Sequence, residues 1–216
     1  MATAADVPPA AQPEPSPYFQ EGASGVPIAV LGFGFSVIAL SLANAEIIDA
    51  GAGLFVPVAF GTGALAMLVG GLAELRNGQL FGATFALIYA CFLFTTPMIF
   101  RWFAPEITAE GAAGASAFGD AFGAYLLMWA FITALFAYGA YYINLPAFLA
   151  FVLLFLVYFG SAIVNITEPS STTLLNIVGW LGILDGLCAW WVGMGLALNT
   201  MGPRPRIPMI DYPYGR

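Results

Sequence analysis

Long apolar stretches separated by short polar segments make up this chain after its first 25 residues. Six stretches reach about 20 mostly apolar residues, the length that an α-helix needs to cross the hydrocarbon core of a bilayer. The pattern therefore predicts an all-α integral membrane protein with six transmembrane helices in the lipid bilayer. The predicted spans are residues 26–45, 54–73, 82–102, 120–142, 146–166 and 174–199.

The two ends of the chain lack this apolar pattern. Residues 1–25 are rich in Ala, Pro and Glu and have no signal-peptide core, which predicts a disordered tail before the transmembrane domain, residues 26–200. Residues 201–216 are predicted to form a C-terminal tail. Six spans place both tails on the same side of the membrane. That side would hold Arg76 and the arginines of the C-terminal tail, whereas the opposite side would hold only Arg101. The positive-inside rule therefore predicts cytoplasmic termini in the cell (plasma or inner) membrane.

Composition and charge narrow the function classes. The chain is 61% hydrophobic and 8% charged, whereas soluble domains carry about 25% charged residues. A net charge of −7 argues against nucleic-acid binding, and the lack of histidine excludes imidazole proton relays and His-ligated metals. No GxSxG, HExxH, P-loop or CxxC motif and no nucleophile–base pair is present. The sequence thus predicts no enzyme, cofactor or metal site, and leaves transport, channel or scaffold roles.

Two carboxylates are candidates for a functional site. Asp185 falls in the middle of the last apolar stretch, where a carboxylate costs at least about 2.5–3.5 kcal/mol on insertion scales. We therefore expect it to face the bundle interior or a water-filled cavity, where its neutral form costs less. It could contact a proton or solute, or be a structural acid held by hydroxyl or indole groups. Glu74 could pair with Arg76 at the interface or line a vestibule.

Three uncharged polar residues near helix ends are weaker candidates for the solute path. Asn44 and Asn165 lie near the outer ends of the first and fifth spans. Capping or interhelical hydrogen bonding is their default role, and a vestibule contact is the alternative. Thr84 could line the path or bond to its own helix backbone.

One segment carries a family resemblance. GLAELRNGQLFGATFALIY (71–89) resembles the signature G-x-x-E-x-x-x-G-N-T-F-G-x-T of the acetate uptake transporter family, the succinate–acetate permeases. Residues 31–44, 125–139 and 179–199 resemble that family's first, fourth and last helices. The resemblance implies six helices around a narrow pore in each protomer, commonly a hexamer. It also implies uptake of acetate, succinate and related small carboxylates, by proton symport or a channel-like path.

The resemblance also implies pore residues. The family's pore is narrowed by a Phe, a Tyr and a Leu, which fall on Phe33, Tyr89 and Leu154, and an Ala associated with substrate size falls on Ala189. These side chains would form a dry neck that passes a small carboxylate or its protonated acid. Since no fixed cation would hold the anion, backbone dipoles, Thr84 and the asparagines would have to compensate. Binding is therefore expected to be weak.

The chain departs from the family pattern in its acidic residues. A carboxylate common near the end of the last helix falls on Leu196, while Asp185 appears eleven residues earlier, about three turns away on the same face. We hypothesise that Asp185 moves the acidic site deeper along one pore-facing stripe. Two alternatives stay open: a urea- or amide-type channel for neutral solutes, and a structural membrane subunit that conducts nothing.

Overall fold

The computed structural model describes residues 22–49, 51–167 and 171–211. In these ranges no β-strand forms, and a single isolated β-bridge joins Asn144 to Asp211. Six helices are long and apolar enough to cross a membrane, which confirms the predicted all-α membrane fold. They are α1 (Val26–Asn44), α2 (Gly53–Arg76), α3 (Leu80–Thr108), α4 (Ala112–Ala140), α5 (Leu145–Thr167) and α6 (Thr172–Asn199).

The connection between α3 and α4 is shorter than predicted. A π-helical turn at Ile99–Phe103 leads into a further α-helical turn with Pro105 near its start, where the missing N–H costs no hydrogen bond. α3 therefore continues to Thr108 rather than ending at residue 102. Gly111, with a φ of +84°, then turns the chain into α4, which begins at Ala112 rather than at residue 120.

The chain ends are partly described. Residues 1–21 and 212–216, which belong to the two predicted tails, lie outside the described ranges. Of residues 22–25, also assigned to the disordered tail, Gly22 and Ala23 are held by Asn77 in the turn between α2 and α3. The Asn77 side chain accepts a hydrogen bond from the Gly22 N–H and donates to the Gly22 and Ala23 carbonyls. These hydrogen bonds fix the segment just before α1 beside the α2–α3 turn.

Backbone contacts at glycines hold α1 against α6. An added Cβ at Gly34 would lie 2.9 Å from the Gly186 carbonyl oxygen, and one at Gly186 would lie 3.0 Å from the Gly34 carbonyl oxygen. The indole N–H of Trp190 also donates to the Leu31 carbonyl at 3.1 Å. In lipid, small residues allow such close helix approach where no hydrophobic force drives association. These contacts set how α6 faces the centre of the bundle.

Gly179→Ala should destabilise the protein. Its Cβ would lie 2.7 Å from the Asn44 carbonyl carbon and 2.8 Å from Ala45 Cα, and backbone atoms cannot move aside. We expect a loss of about 1–3 kcal/mol, the usual cost of overpacking. Thermal unfolding of the purified protein in detergent measures it. Gly61→Ala is the matched control, because an added Cβ there meets nothing within 4 Å. Equal melting temperatures for both variants would contradict this packing.

Candidate functional site

Two cavities enter the bundle from opposite ends. The proximal cavity, about 300 Å³, lies at the end where α1 begins and α6 finishes, and Glu74 and Asn144 are at its mouth. The distal cavity, about 240 Å³, lies at the other end, where Asn44 and Asn165 are in its wall. Leu154 lines both cavities. The two spaces therefore approach one another inside the bundle.

A wall about one helical turn thick separates the cavities. α1 contributes Phe33 to the proximal cavity and Val37 to the distal one, and α3 contributes Tyr89 and Phe92 in the same order. Residues three to four positions apart are separated by about 4.5–6 Å along a helix axis. The cavities therefore lie end to end. We call this wall the neck and define it by Phe33, Tyr89 and Leu154.

The neck presents an apolar surface to the proximal cavity, and Leu154 extends it to the distal one. The rings of Phe33 and Tyr89 meet edge to face with centroids 5.7 Å apart, and Leu154 is buried beside them. The Tyr89 hydroxyl donates to the Thr133 hydroxyl at 2.6 Å, which in turn donates to the Trp129 carbonyl. The Tyr89 hydroxyl is thus already hydrogen-bonded to a residue of α4. An apolar constriction of this kind excludes strongly hydrated solutes.

α6 brings one carboxyl group to the edge of the neck. Asp185 is fully buried and lines the proximal cavity on the same helix face as Ala189 and Leu196. Neither Asp185 oxygen has a hydrogen-bond partner among the described residues. The expected alternative of a structural acid held by hydroxyl or indole groups therefore does not describe its surroundings. Asp185 instead adds an unpaired carboxyl group to the inner part of the cavity wall, beside Phe33, Tyr89 and Leu154.

Glu74 has a structural role at the mouth of the proximal cavity. It is only 4% exposed, and its carboxylate accepts hydrogen bonds from the Gly25 N–H at 2.7 Å and the Ser24 hydroxyl at 2.9 Å. Arg76 is exposed, and Glu74 forms no ion pair with any residue in the described ranges. Of the two roles considered for Glu74, the structure matches the vestibule, and it adds an anchor for the start of α1.

The remaining polar candidates occupy different places. Asn44 and Asn165 both line the distal cavity, and the Asn165 amide donates to the Ser161 carbonyl at 2.8 Å. Thr84 is exposed, lines neither cavity and donates to the Leu80 carbonyl at 2.7 Å. Its expected place on the solute path is corrected accordingly. The reason is helix geometry. Phe85, the next residue, faces the proximal cavity, so Thr84 points away from it.

Two residues at the neck were not identified from the sequence. Tyr158 lines the distal cavity one turn after Leu154, and its buried hydroxyl has no hydrogen-bond partner among the described residues. Its spacing of four from Leu154 was an available signal, because such residues share a helix face. Thr133 gave no such signal. Its bond to Tyr89 joins positions 44 residues apart in the chain.

Comparisons with known proteins agree with this architecture. The model of the GPR1/FUN34/yaaH family matches residues 8–209. Two similar proteins are each 27% identical. One is an uncharacterized protein of Methanothermobacter thermautotrophicus, aligned over 86% of this chain and 90% of that protein. The other is the succinate-acetate/proton symporter SatP of Escherichia coli K12, aligned over 87% and 95%. The solved structure of the bacterial acetate channel SatP matches with a TM-score of 0.75 at 24% identity, over 87% of this chain and 99% of that one.

Glu74→Ala should destabilise the protein, because it leaves the buried Gly25 N–H without its acceptor. The expected loss is about 1–3 kcal/mol, the cost of an unpaired buried polar group. Glu74→Gln keeps an acceptor oxygen and should lose less. Thermal unfolding in detergent measures both, with Arg76→Gln as the control for a charge change at the exposed neighbour. A melting temperature of Glu74→Ala equal to that of the wild type would rule out the anchor.

Proposed function

Because this chain belongs to the GPR1/FUN34/yaaH family, we propose that it carries acetate, related small monocarboxylates and succinate across the cell's plasma or inner membrane. The observation that carries the proposal is the apolar neck of Phe33, Tyr89 and Leu154 between two end-to-end cavities. Two of the similar proteins support it, since one is named as a succinate-acetate/proton symporter and another as an acetate channel. Transport through the neck requires no catalytic step and no cofactor.

Charge favours proton-linked transport. The arginines in the described ranges are all exposed, so no fixed cation compensates a carboxylate within the neck. An isolated ionised carboxylate is far more costly in an apolar environment than its neutral acid. The solute therefore crosses the neck most easily together with a proton. Either proton symport or a channel for the undissociated acid meets this requirement.

The path assigns a role to each remaining site residue. With both termini in the cytoplasm, the distal cavity faces outward, and an entering solute first meets Asn44 and Asn165. It then crosses the neck, passes Asp185 and Ala189, and leaves beside Glu74. Ala189 is one turn from Asp185 on the same cavity face, where a larger side chain would narrow the space left for the solute's alkyl group.

The assembly of the family supports a homo-hexamer for this chain. The outward face of α4 fits contact with lipid or with another copy, because it exposes a row of large apolar and aromatic side chains, at Met128, Phe131, Leu135 and Tyr138. Since both cavities lie within one chain, each protomer would contain its own path.

Tyr89→Ala should widen the neck and change solute selection. In proteoliposomes, an inward proton gradient should drive saturable acetate uptake by the wild type. The variant should raise butyrate uptake relative to acetate by about tenfold, because pockets discriminate each methylene by about 1–3 kcal/mol. Labelled uptake of acetate, butyrate and urea measures this selection. Phe103→Ala, which removes an exposed aromatic ring that lines neither cavity, is the matched control.

The other outcomes separate the alternatives. Urea uptake without acetate uptake would assign the chain to neutral-solute channels. If protein that is verified to be folded carries neither solute, the remaining interpretation is a structural subunit that conducts nothing. Acetate uptake with the same butyrate-to-acetate ratio in Tyr89→Ala would remove Tyr89 from the path.

A further inference from the structure

Two buried polar groups beside the neck lack partners. Asp185 is 0% exposed and Tyr158 is 4% exposed. Neither the carboxyl oxygens nor the hydroxyl has a hydrogen-bond partner among the described residues. Buried polar side-chain atoms are hydrogen-bonded in the large majority of cases. By contrast, Tyr89 at the same neck is paired with Thr133. The residues that carry the two unpaired groups line the proximal and the distal cavity respectively.

The packing of α5 against α6 places Asp185 at the depth of the neck. An added Cβ at Gly182 would lie 3.7 Å from the Val157 side chain, so these two positions are level. The helices are antiparallel. Three residues closer to the proximal end, Gly182 is followed by Asp185 on α6, and Val157 is preceded by Leu154 on α5. Because Leu154 is a neck residue that lines both cavities, the Asp185 backbone lies level with the neck.

The side chains of Asp185 and Tyr158 lean toward each other. Side chains on an α-helix tilt toward the N-terminus of their helix. α5 begins at the proximal end and α6 at the distal end, so Tyr158 leans in the proximal direction and Asp185 in the distal direction. Consistent with this, a charge on Asp185 would act on the hydroxyls of Tyr158 and Tyr89. A hydroxyl and a carboxyl group thus share one otherwise apolar constriction.

An undissociated carboxylic acid matches these two groups. The titratable side chains that interact with Asp185 are Tyr89, Tyr158 and Cys188, and none of them is a cation. A charged solute or an ionised Asp185 would therefore be uncompensated at the neck. Two neutral carboxyl groups can exchange two O–H···O hydrogen bonds, each donating one and accepting one. The Tyr158 hydroxyl can donate to a remaining lone pair.

We propose that Asp185 and Tyr158 form a binding site in the neck for the undissociated carboxyl group of a small monocarboxylic acid. This inference rests on the proposed function and identifies the species that is carried. Each carboxylate crosses with its own proton, so transport is electroneutral and Asp185 keeps its proton. The alkyl group of the acid lies against Leu154 and Ala189. A dicarboxylic acid leaves its second carboxyl group without a partner at the neck and is carried more slowly.

Three variants test the site in proteoliposomes at a subsaturating acetate concentration. Asp185→Leu removes both hydrogen-bonding atoms at similar volume and should lower uptake about tenfold or more, since each hydrogen bond lost affects binding by up to about tenfold. Tyr158→Phe removes one hydroxyl and should lower uptake about three- to tenfold. Asp185→Asn keeps one donor and one acceptor and should retain most uptake. Tyr142→Phe, at an exposed tyrosine that lines neither cavity, is the matched control.

Two readouts distinguish binding from folding. Asp185→Leu and Tyr158→Phe each remove an unpaired buried polar group, so both should melt no lower than the wild type. Acetic acid at acidic pH should raise the melting temperature of the wild type by mass action. That rise should vanish in Asp185→Leu. A membrane potential set by potassium and valinomycin should leave wild-type acetate uptake unchanged.

Each further outcome decides between the two proposals. Wild-type acetate uptake that is unaltered in Asp185→Leu and Tyr158→Phe overturns the binding site and leaves the proposed function standing. No wild-type uptake, with acid-dependent stabilisation that Asp185→Leu abolishes, supports the site and overturns transport. Neither uptake nor stabilisation overturns both. Equal loss of uptake in Asp185→Leu and Asp185→Asn overturns the hydrogen-bonded pairing, because it means that Asp185 acts by releasing its proton.

Discussion

The cost of leaving a polar group unpaired away from water is the constraint on which this structure depends. In a bilayer core the backbone must satisfy its own hydrogen bonds, which is why helices span it. Side chains obey the same rule where the bundle is buried, as in the relay from Tyr89 through Thr133 to the Trp129 carbonyl. Asp185 and Tyr158 depart from the rule together, beside the neck between the two cavities. A departure shared by two neighbours at one constriction indicates a ligand.

The same constraint supports the proposal that the solute crosses as a neutral acid. The neck offers rings and a leucine side chain, and no cation lies beside it among the described residues. An apolar wall penalises an ion far more than a neutral acid. Conduction also requires binding that is weak enough to release the solute. Two or three hydrogen bonds to a neutral acid meet this requirement, whereas a buried arginine would hold the anion.

Features that depend on patterns along the whole chain could be predicted from the sequence. Features that depend on a single contact between side chains could not. The number of transmembrane helices could be predicted from the lengths of the apolar stretches. The family resemblance led to Phe33, Tyr89 and Leu154, which the fold brings together at one cavity. Thr84 was assigned to the path although it faces outward, because a motif does not state which side of its helix each member occupies. Tyr158 was missed because a tyrosine in an apolar span is usually a packing residue. Its missing partner is visible only in three dimensions.

The width of the neck follows from backbone packing rather than from the neck side chains alone. Gly34 and Gly186 touch each other's carbonyl oxygens, and each directly follows a site residue, Phe33 or Asp185. Any side chain added at either glycine would push α1 from α6 and widen the constriction. Trp190 bonds α6 to the Leu31 carbonyl at the same level. Because helix backbones in direct contact cannot approach further, the rings of Phe33 and Tyr89 sit within a fixed frame, as the proposed selection of solutes by size requires.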